Sequence, residues 1–147
     1  MEPRLDYAPA LPEDIEALFA FNRALIDEYE DPAAVDRNEV LAWVRRKLEK
    51  KLGEYVRVLL DGKLAGYYRL APGEGGTELD DFYVFPEYRG RGIGTAALRK
   101  CCAEAALPLY LYVFTKNAGA VRLYERNGFR LRETVDAARC ILEYDGK

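Results

Sequence analysis

Histidine is absent from this sequence, and tryptophan and methionine occur once each. Without an imidazole the chain has no Ser–His or Cys–His nucleophile pair and lacks the commonest nitrogen ligand for a metal. Cysteine is scarce too. Three residues are an odd number, and Cys101 and Cys102 stand side by side in a helical pattern, which does not support a disulfide framework. No apolar run approaches the roughly 20 residues that cross a bilayer, and the opening MEPRLDYAPA has no basic stretch followed by an apolar one. The reading is a cytoplasmic protein with no membrane partner. Positive charge is not in excess: 22 Lys and Arg stand against 25 Asp and Glu, a net charge of −3, which argues against nucleic acid as a partner.

What is present is the balance of an ordinary globular domain, with 50% hydrophobic and 32% charged residues over a length that fits one domain spanning 1–147. Arg4 to Ala8 alternates as a short strand. Pro12, Glu13 and Asp14 open a helix that keeps its apolar spacing from Ile15 to Tyr29 and stops at Asp31-Pro32. Asp36 and Glu39 form the pattern of a capping box, and Val40, Val44, Leu48 and Leu52 mark a second helix ending at Gly53. Its basic run 45–51, RRKLEKK, including Lys47, reads as a solvated outer face. From Glu54 the period becomes two. Strands at 55–60 and 63–70 flank the hairpin signal Asp61-Gly62, a looser connection covers Pro72 to Gly76, and a third strand runs from Thr77 to Phe85. A helix from Ile93 to Ala105, a strand at 109–114, a short helix at 118–127 closed by Gly128, and strands at 130–134 and 138–144 complete the chain. This order predicts an α+β fold: a mixed, mostly antiparallel sheet of about seven strands with helices on both faces.

Between the third of these hairpin strands and the following helix lies VFPEYRGRGIGT, with Gly90, Gly92 and Gly94 on alternate positions and Arg89 and Arg91 among them. A glycine loop at a helix start offers unpaired backbone N–H groups at the positive end of the dipole, which suits a phosphate or pyrophosphate. The plainer reading is that the glycines only shape a turn. Neither G-x-x-x-x-G-K-[ST] nor G-x-G-x-x-G is present, so a P-loop and a dinucleotide fingerprint are both unsupported.

The segment LDDFYVFPEYRGRGIGTAALRK resembles the acyl-CoA signature of the GNAT superfamily of N-acetyltransferases. A second segment, from Asn117 to Phe129, is similar to that family's motif N-x-x-A-x-x-L-Y-x-x-x-G-F at full spacing. The resemblance implies an acetyl-CoA-dependent N-acetyltransferase that needs no metal and acts as a monomer or homodimer. It implies that Arg89, Gly90, Arg91, Gly92, Ile93, Gly94 and Thr95 hold the pyrophosphate. Phe82, Tyr83 and Val84 would bond the pantetheine arm as an added strand. Strands four and five would splay to admit the thioester, with Asn117 near the opening. Arg99 and Lys100 either meet phosphate charge or belong to a solvated face.

Tyr124 stands where the family places the tyrosine that protonates the departing sulfur, the alternative being simple packing. The base is Glu78, Asp80 or an ordered water, with Glu78 first because some family members carry a glutamate there. Period two puts Glu78, Asp80, Phe82 and Val84 on one face and leaves Asp81 on the other, solvated or paired with a cation. Other members use a glutamate five residues before the asparagine, a place held here by Tyr112. Cys101 and Cys102 read as buried packing, so transfer is direct in a ternary complex with a small-molecule or peptide primary amine. In the family the segment between the first two helices commonly walls the acceptor site. Here it carries Asp27, Glu28, Tyr29 and Glu30 ahead of Asp31, a set that favours a cationic amine. The competing class is a non-catalytic acyl-CoA-binding sensor or interaction domain of the same fold.

Overall fold

Asp61 and Gly62 take φ of +51° and +79°, and they join β2 (Tyr55–Leu60) to β3 (Lys63–Gly73) in the antiparallel hairpin that an Asp-Gly pair predicts. The next connection is tighter than the sequence suggests. β3 continues through Pro72, and only Glu74 and Gly75 separate it from β4 (Gly76–Val84), with Gly73 paired to Gly76. The computed structural model describes residues 3–147; Met1 and Glu2, part of the expected domain and of the opening segment read above, lie outside the described residues.

With β1 (Leu5–Pro9), β5 (Leu109–Phe114), β6 (Arg130–Thr134) and β7 (Arg139–Tyr144), the strands form one sheet in the order β1-β2-β3-β4-β5-β7-β6. Every neighbouring pair is antiparallel except β4 and β5. The mixed, mostly antiparallel sheet expected from the element order is what forms.

Helices pack both faces. α1 (Ile15–Tyr29) and α2 (Arg37–Lys51) bury Leu18, Ile26, Val44 and Leu48 against Tyr55 and Tyr67. α3 (Ile93–Glu104) and α4 (Ala118–Arg126) bury Ile93, Leu98, Cys101 and Tyr124 against Leu79, Leu109, Leu111 and Leu142. Leu18, Leu48 and Leu98 are fully buried. Each contributes roughly 1.5–3 kcal/mol by leaving water. The helix starts are fixed by carboxylates. Asp36 accepts from the N–H of Glu39 at 3.2 Å, and buried Asp14 accepts from the Leu11 N–H at 2.7 Å and the Tyr67 hydroxyl at 2.6 Å. Gly128, at φ +93°, ends α4 in the left-handed conformation the sequence requires.

Two irregularities of β4 shape the rest. It pairs with β5 only at Thr77↔Leu109 and Glu78↔Tyr110, after which the strands part, as the resemblance implies. Beside the parting, its register against β3 shifts: Tyr83 faces Tyr67 and Asp80 faces Arg69, so Asp81 and Phe82 stand against Tyr68 alone. This is a β-bulge, with Asp81 at φ +49°. The expected alternation fails there. Leu79, Phe82 and Val84 pack toward α3 and α4, while Glu78 and both aspartates belong to the face of α2, with Tyr83 and Phe85.

Candidate active site

The parted strands, the start of α3, and one side of α1, α2 and α4 enclose a cleft of about 1150 Å³. At one end Gly90 and Gly92 sit at φ +79° and +77°, and Gly92 is the residue from which α3 begins. A side chain at either position is strained by the backbone alone. The first amide to close onto the helix is that of Ala96, which donates to the Gly92 carbonyl at 3.0 Å. The N–H groups of Ile93, Gly94 and Thr95 therefore have no helical acceptor and line the cleft at the positive end of a twelve-residue helix. Gly94 is not left-handed; a Cβ there would reach 3.4 Å from Leu123 of α4, so its smallness keeps the gap between α3 and α4 clear.

The basic residues of this region divide. Arg89 donates from Nε to the Val84 carbonyl at 3.1 Å and holds its guanidinium 5.8 Å from the Tyr83 ring, which fixes the loop to the end of β4. Arg91 lies 5.5 Å from the Tyr88 ring. Lys100 instead pairs with Glu104 at 2.7 Å and covers the Tyr7 ring, a surface arrangement. Arg99 does not line the cleft.

At the fork of β4 and β5 the bulge turns two adjacent carboxylates toward α2. Lys47 Nζ lies 2.9 Å from Asp80 and 3.4 Å from Asp81, and Asp80 also receives Arg69 at 3.0 Å. Arg69 reaches Glu54 at 2.7 Å, and the Tyr55 hydroxyl donates to Asp81 at 2.6 Å. Burial works against the Lys47 ammonium, but Asp81 and Asp80 outweigh it and raise its pKa. Lys47 is thus no part of a solvated outer face: its side chain is 15% exposed and faces the sheet. The helical stripe Val40, Val44 and Lys47 shows why, since Lys47 follows the buried residues at the next inward position. Lys47→Met strands Asp81 without a cation and is expected to cost about 2 kcal/mol, less than a wholly buried pair because Arg69 remains beside Asp80. Urea unfolding with an unchanged m-value checks this; a loss below about 0.5 kcal/mol contradicts it.

Glu78 occupies the last rung before the strands separate. Burial, then the charge of Asp80, raises its carboxyl above the ordinary range, against the pull of Arg69 and Lys47. Asp80, the other carboxylate singled out by the sequence, is held by two cations where Glu78 is held by none within 4 Å among the described residues. Burial and the neighbouring Asp80 also raise Asp81.

Across the cleft, Tyr124 is 7% exposed. Its ring meets Phe82 edge-on at 6.2 Å and lies tilted on Phe129 at 5.6 Å, and burial pushes its phenol well above its usual value. Asn117 begins α4, accepting from the Ala120 N–H at 3.4 Å, and also lines the cleft, as does half-exposed Tyr112. Burial raises the Cys101 thiol to about 12 and Cys102 to about 11. Neither supplies a thiolate near neutral pH.

The acidic segment contributes less than its composition suggests. Asp27 is ion-paired with Arg37 at 2.7 Å, Asp31 accepts from the Ala33 N–H, and Tyr29 stacks on Phe114 at 5.6 Å between centroids. Of Asp27, Glu28, Tyr29 and Glu30, only Glu30 lines the cleft. The residues that line it from this side include Phe21, Leu25, Trp43, Lys47 and Lys51, none of which the sequence singles out for the site. A usable signal was present: Trp43 falls at the same helical stripe as Val40 and Lys47.

Comparison with known proteins agrees with this geometry. Residues 18–129 match the family model described as the acetyltransferase (GNAT) family, which is more than half of the chain. An uncharacterized N-acetyltransferase of Mycobacterium bovis is 32% identical over 117 residues, covering 70% of this chain and 75% of its own length. The spermine/spermidine N(1)-acetyltransferase of Bacillus subtilis is 31% identical over 94 residues, covering 55% of this chain and 62% of its own. Among solved structures, the PaiA N-acetyltransferase of Thermoplasma acidophilum in complex with coenzyme A superposes with a TM-score of 0.69 at 24% identity, covering 97% of this chain and 99% of that one. An acetyltransferase from Thermus thermophilus gives 0.74 at 22% identity over 99% of both chains. The chain belongs to the acetyltransferase (GNAT) family.

Proposed function

We propose that the protein is an acetyl-CoA-dependent N-acetyltransferase that moves the acetyl group to a primary amine by direct attack in a ternary complex. The observation that carries this reading is the fork itself. Open β4 edge, unpaired amides of α3, buried Tyr124 and Glu78, with no cation within 4 Å among the described residues, all border one cleft. Arg89 through Thr95 are assigned to the pyrophosphate, with Gly92 and Gly94 keeping the approach clear, and Phe82, Tyr83 and Val84 to the pantetheine arm. Asn117 is assigned to the cofactor near the opening. The relative crystallised with coenzyme A supports a coenzyme A site in this fold.

The chemistry assigned to the chain's own residues is acid–base. Glu78, directly or through water, takes the proton of the ammonium, and the freed lone pair forms the N–C bond to the acetyl carbon. The C–S bond breaks with its electron pair on sulfur, Tyr124 gives that sulfur a proton, and the second proton that the nitrogen sheds in becoming an amide restores the phenol through solvent. The sum is ammonium and thioester to amide, thiol and one proton. Asp80, held by Lys47 and Arg69, acts on Glu78 through its charge. Among the described residues no helix is long and apolar enough to cross a membrane, which leaves the cytoplasmic assignment a proposal.

Gly92→Val is expected to weaken acetyl-CoA binding at least tenfold, about 1.4 kcal/mol, because the position is both left-handed and beside the unpaired amides. Calorimetry measures it, and wild-type affinity in a folded variant removes the loop from the donor site. The reading as a whole is tested by supplying acetyl-CoA with a panel of primary amines and following thiol release. Tight binding with no release across the panel would mark a sensor domain instead.

A further inference from the structure

α2 turns one stripe to the cleft, Val40, Trp43, Val44, Lys47. Lys47 is committed to Asp80 and Asp81, so ahead of Lys51, the cleft-lining cation at the end of the helix, what the stripe leaves for a ligand is apolar. Trp43 is its anomaly, an indole 56% exposed on a helix whose other large apolar residues are buried or half-buried. The Lys47 ammonium lies 5.4 Å from the centre of the Trp43 ring, and the same cleft is lined by Phe21 and Leu25 of α1, with the Phe21 ring on Tyr83 at 4.0 Å and 18° between planes. A large aromatic side chain left in water at the wall of a cleft that also holds a stacked aromatic pair is the surface a flat apolar body covers.

Charge argues the same way. The cleft lining carries four carboxylates, Glu30, Glu78, Asp80 and Asp81, against six cations, Lys47, Lys51, Arg69, Arg89, Arg126 and Arg139. Asp80 and Asp81 are paired with Lys47 and Arg69, and Arg139 with Asp136, which among the described residues leaves Glu30 and Glu78 against Lys51, Arg89 and Arg126. Such a lining gives no net attraction to a polycation.

We propose that the acceptor is a primary amine borne on a flat apolar group, an arylalkylamine by chemical class, with Trp43 as its specificity-determining contact. This rests on the N-acetyltransferase reading above and narrows its acceptor, replacing the cationic amine that the acidic segment favoured. The seat serves the chemistry too. An apolar wall around the amine disfavours its ammonium form, and the proton passes to Glu78.

Trp43 is the only tryptophan in the chain, so its emission reports on this contact without turnover. With the protein saturated in coenzyme A, 2-phenylethylamine is expected to shift that emission to shorter wavelength in a saturable way, and spermine to leave it unchanged. With acetyl-CoA, kcat/KM for 2-phenylethylamine is expected to exceed that for spermine at least tenfold. Trp43→Ala should lower the former about tenfold, through KM, and Trp43→Phe should retain most of it. The half-exposed position allows both variants to fold, and melting curves establish that they do. Spermine as the better acceptor, or an unmoved emission with Trp43→Ala at wild-type KM, overturns the proposal while leaving acetyl transfer intact. A saturable shift with no acetylated product on any amine supports the aryl site and rejects the acetyltransferase reading instead.

Discussion

Tyr124→Phe is expected to lower turnover by about 10²-fold while acetyl-CoA affinity changes little. General-acid groups contribute on the order of 10²–10⁴-fold, and the lower end applies because water can also protonate a thiolate. The variant isolates the hydroxyl well. The ring is fixed by Phe82 and Phe129, contacts that phenylalanine keeps, so the loss is confined to a proton donor. Burial raises the phenol's pKa, which keeps it protonated and able to donate throughout the working range of pH. A fall in kcat and kcat/KM by the same factor marks an interaction made only in the transition state. Unchanged turnover, with the chemical step rate-limiting, assigns Tyr124 to packing.

Glu78→Gln is expected to reduce kcat/KM by about 10²-fold near neutral pH and to recover as pH approaches the acceptor's own pKa, where the amine no longer needs a base. The sign of the pH dependence follows from the environment. Burial and Asp80 raise the carboxyl, so in the wild type the active ionised form is lost as pH falls through a value above the usual carboxylate range, and the amide variant removes that limb. The same shift makes ionised Glu78 a cost to the fold above its ordinary pKa, so the variant should be no less stable than wild type at pH 7. That separates lost chemistry from lost structure. Asp80→Asn discriminates between the two carboxylates. As a tuning residue it lowers the Glu78 pKa and moves the acid limb down with a smaller loss. A larger loss than that of Glu78→Gln reverses the assignment of the base.

The sequence carried the fold because its signals are local. Asp61-Gly62, Gly128, the Asp36 cap and the change of period at Glu54 each dictate conformation within a few residues, and each appears where expected. The start of α3 was legible for the same reason: alternate glycines before an amphipathic run leave little else for the backbone to do. The bulge was not. A one-residue slip at Asp81 reverses the facing of everything after it, and nothing in LDDFYV announces the slip, because its cause is the distant set Lys47, Tyr55 and Arg69 that gathers the two aspartates. Lys47 departs from its expected solvated place for the same reason. Charge in a basic run ordinarily faces water, and only a partner supplied by another element pulls it inward. The acidic segment shows the converse, since Arg37 of α2 neutralises Asp27 from ten positions away.

Transfer of an acetyl group to a primary amine is measured by mass spectrometry of the amine together with thiol release from acetyl-CoA in one reaction. The expected result is an amine heavier by one acetyl group and an equal molar amount of free coenzyme A, both reduced about 10²-fold in Tyr124→Phe. Binding of acetyl-CoA with neither product across 2-phenylethylamine, spermine and a peptide amine would contradict it.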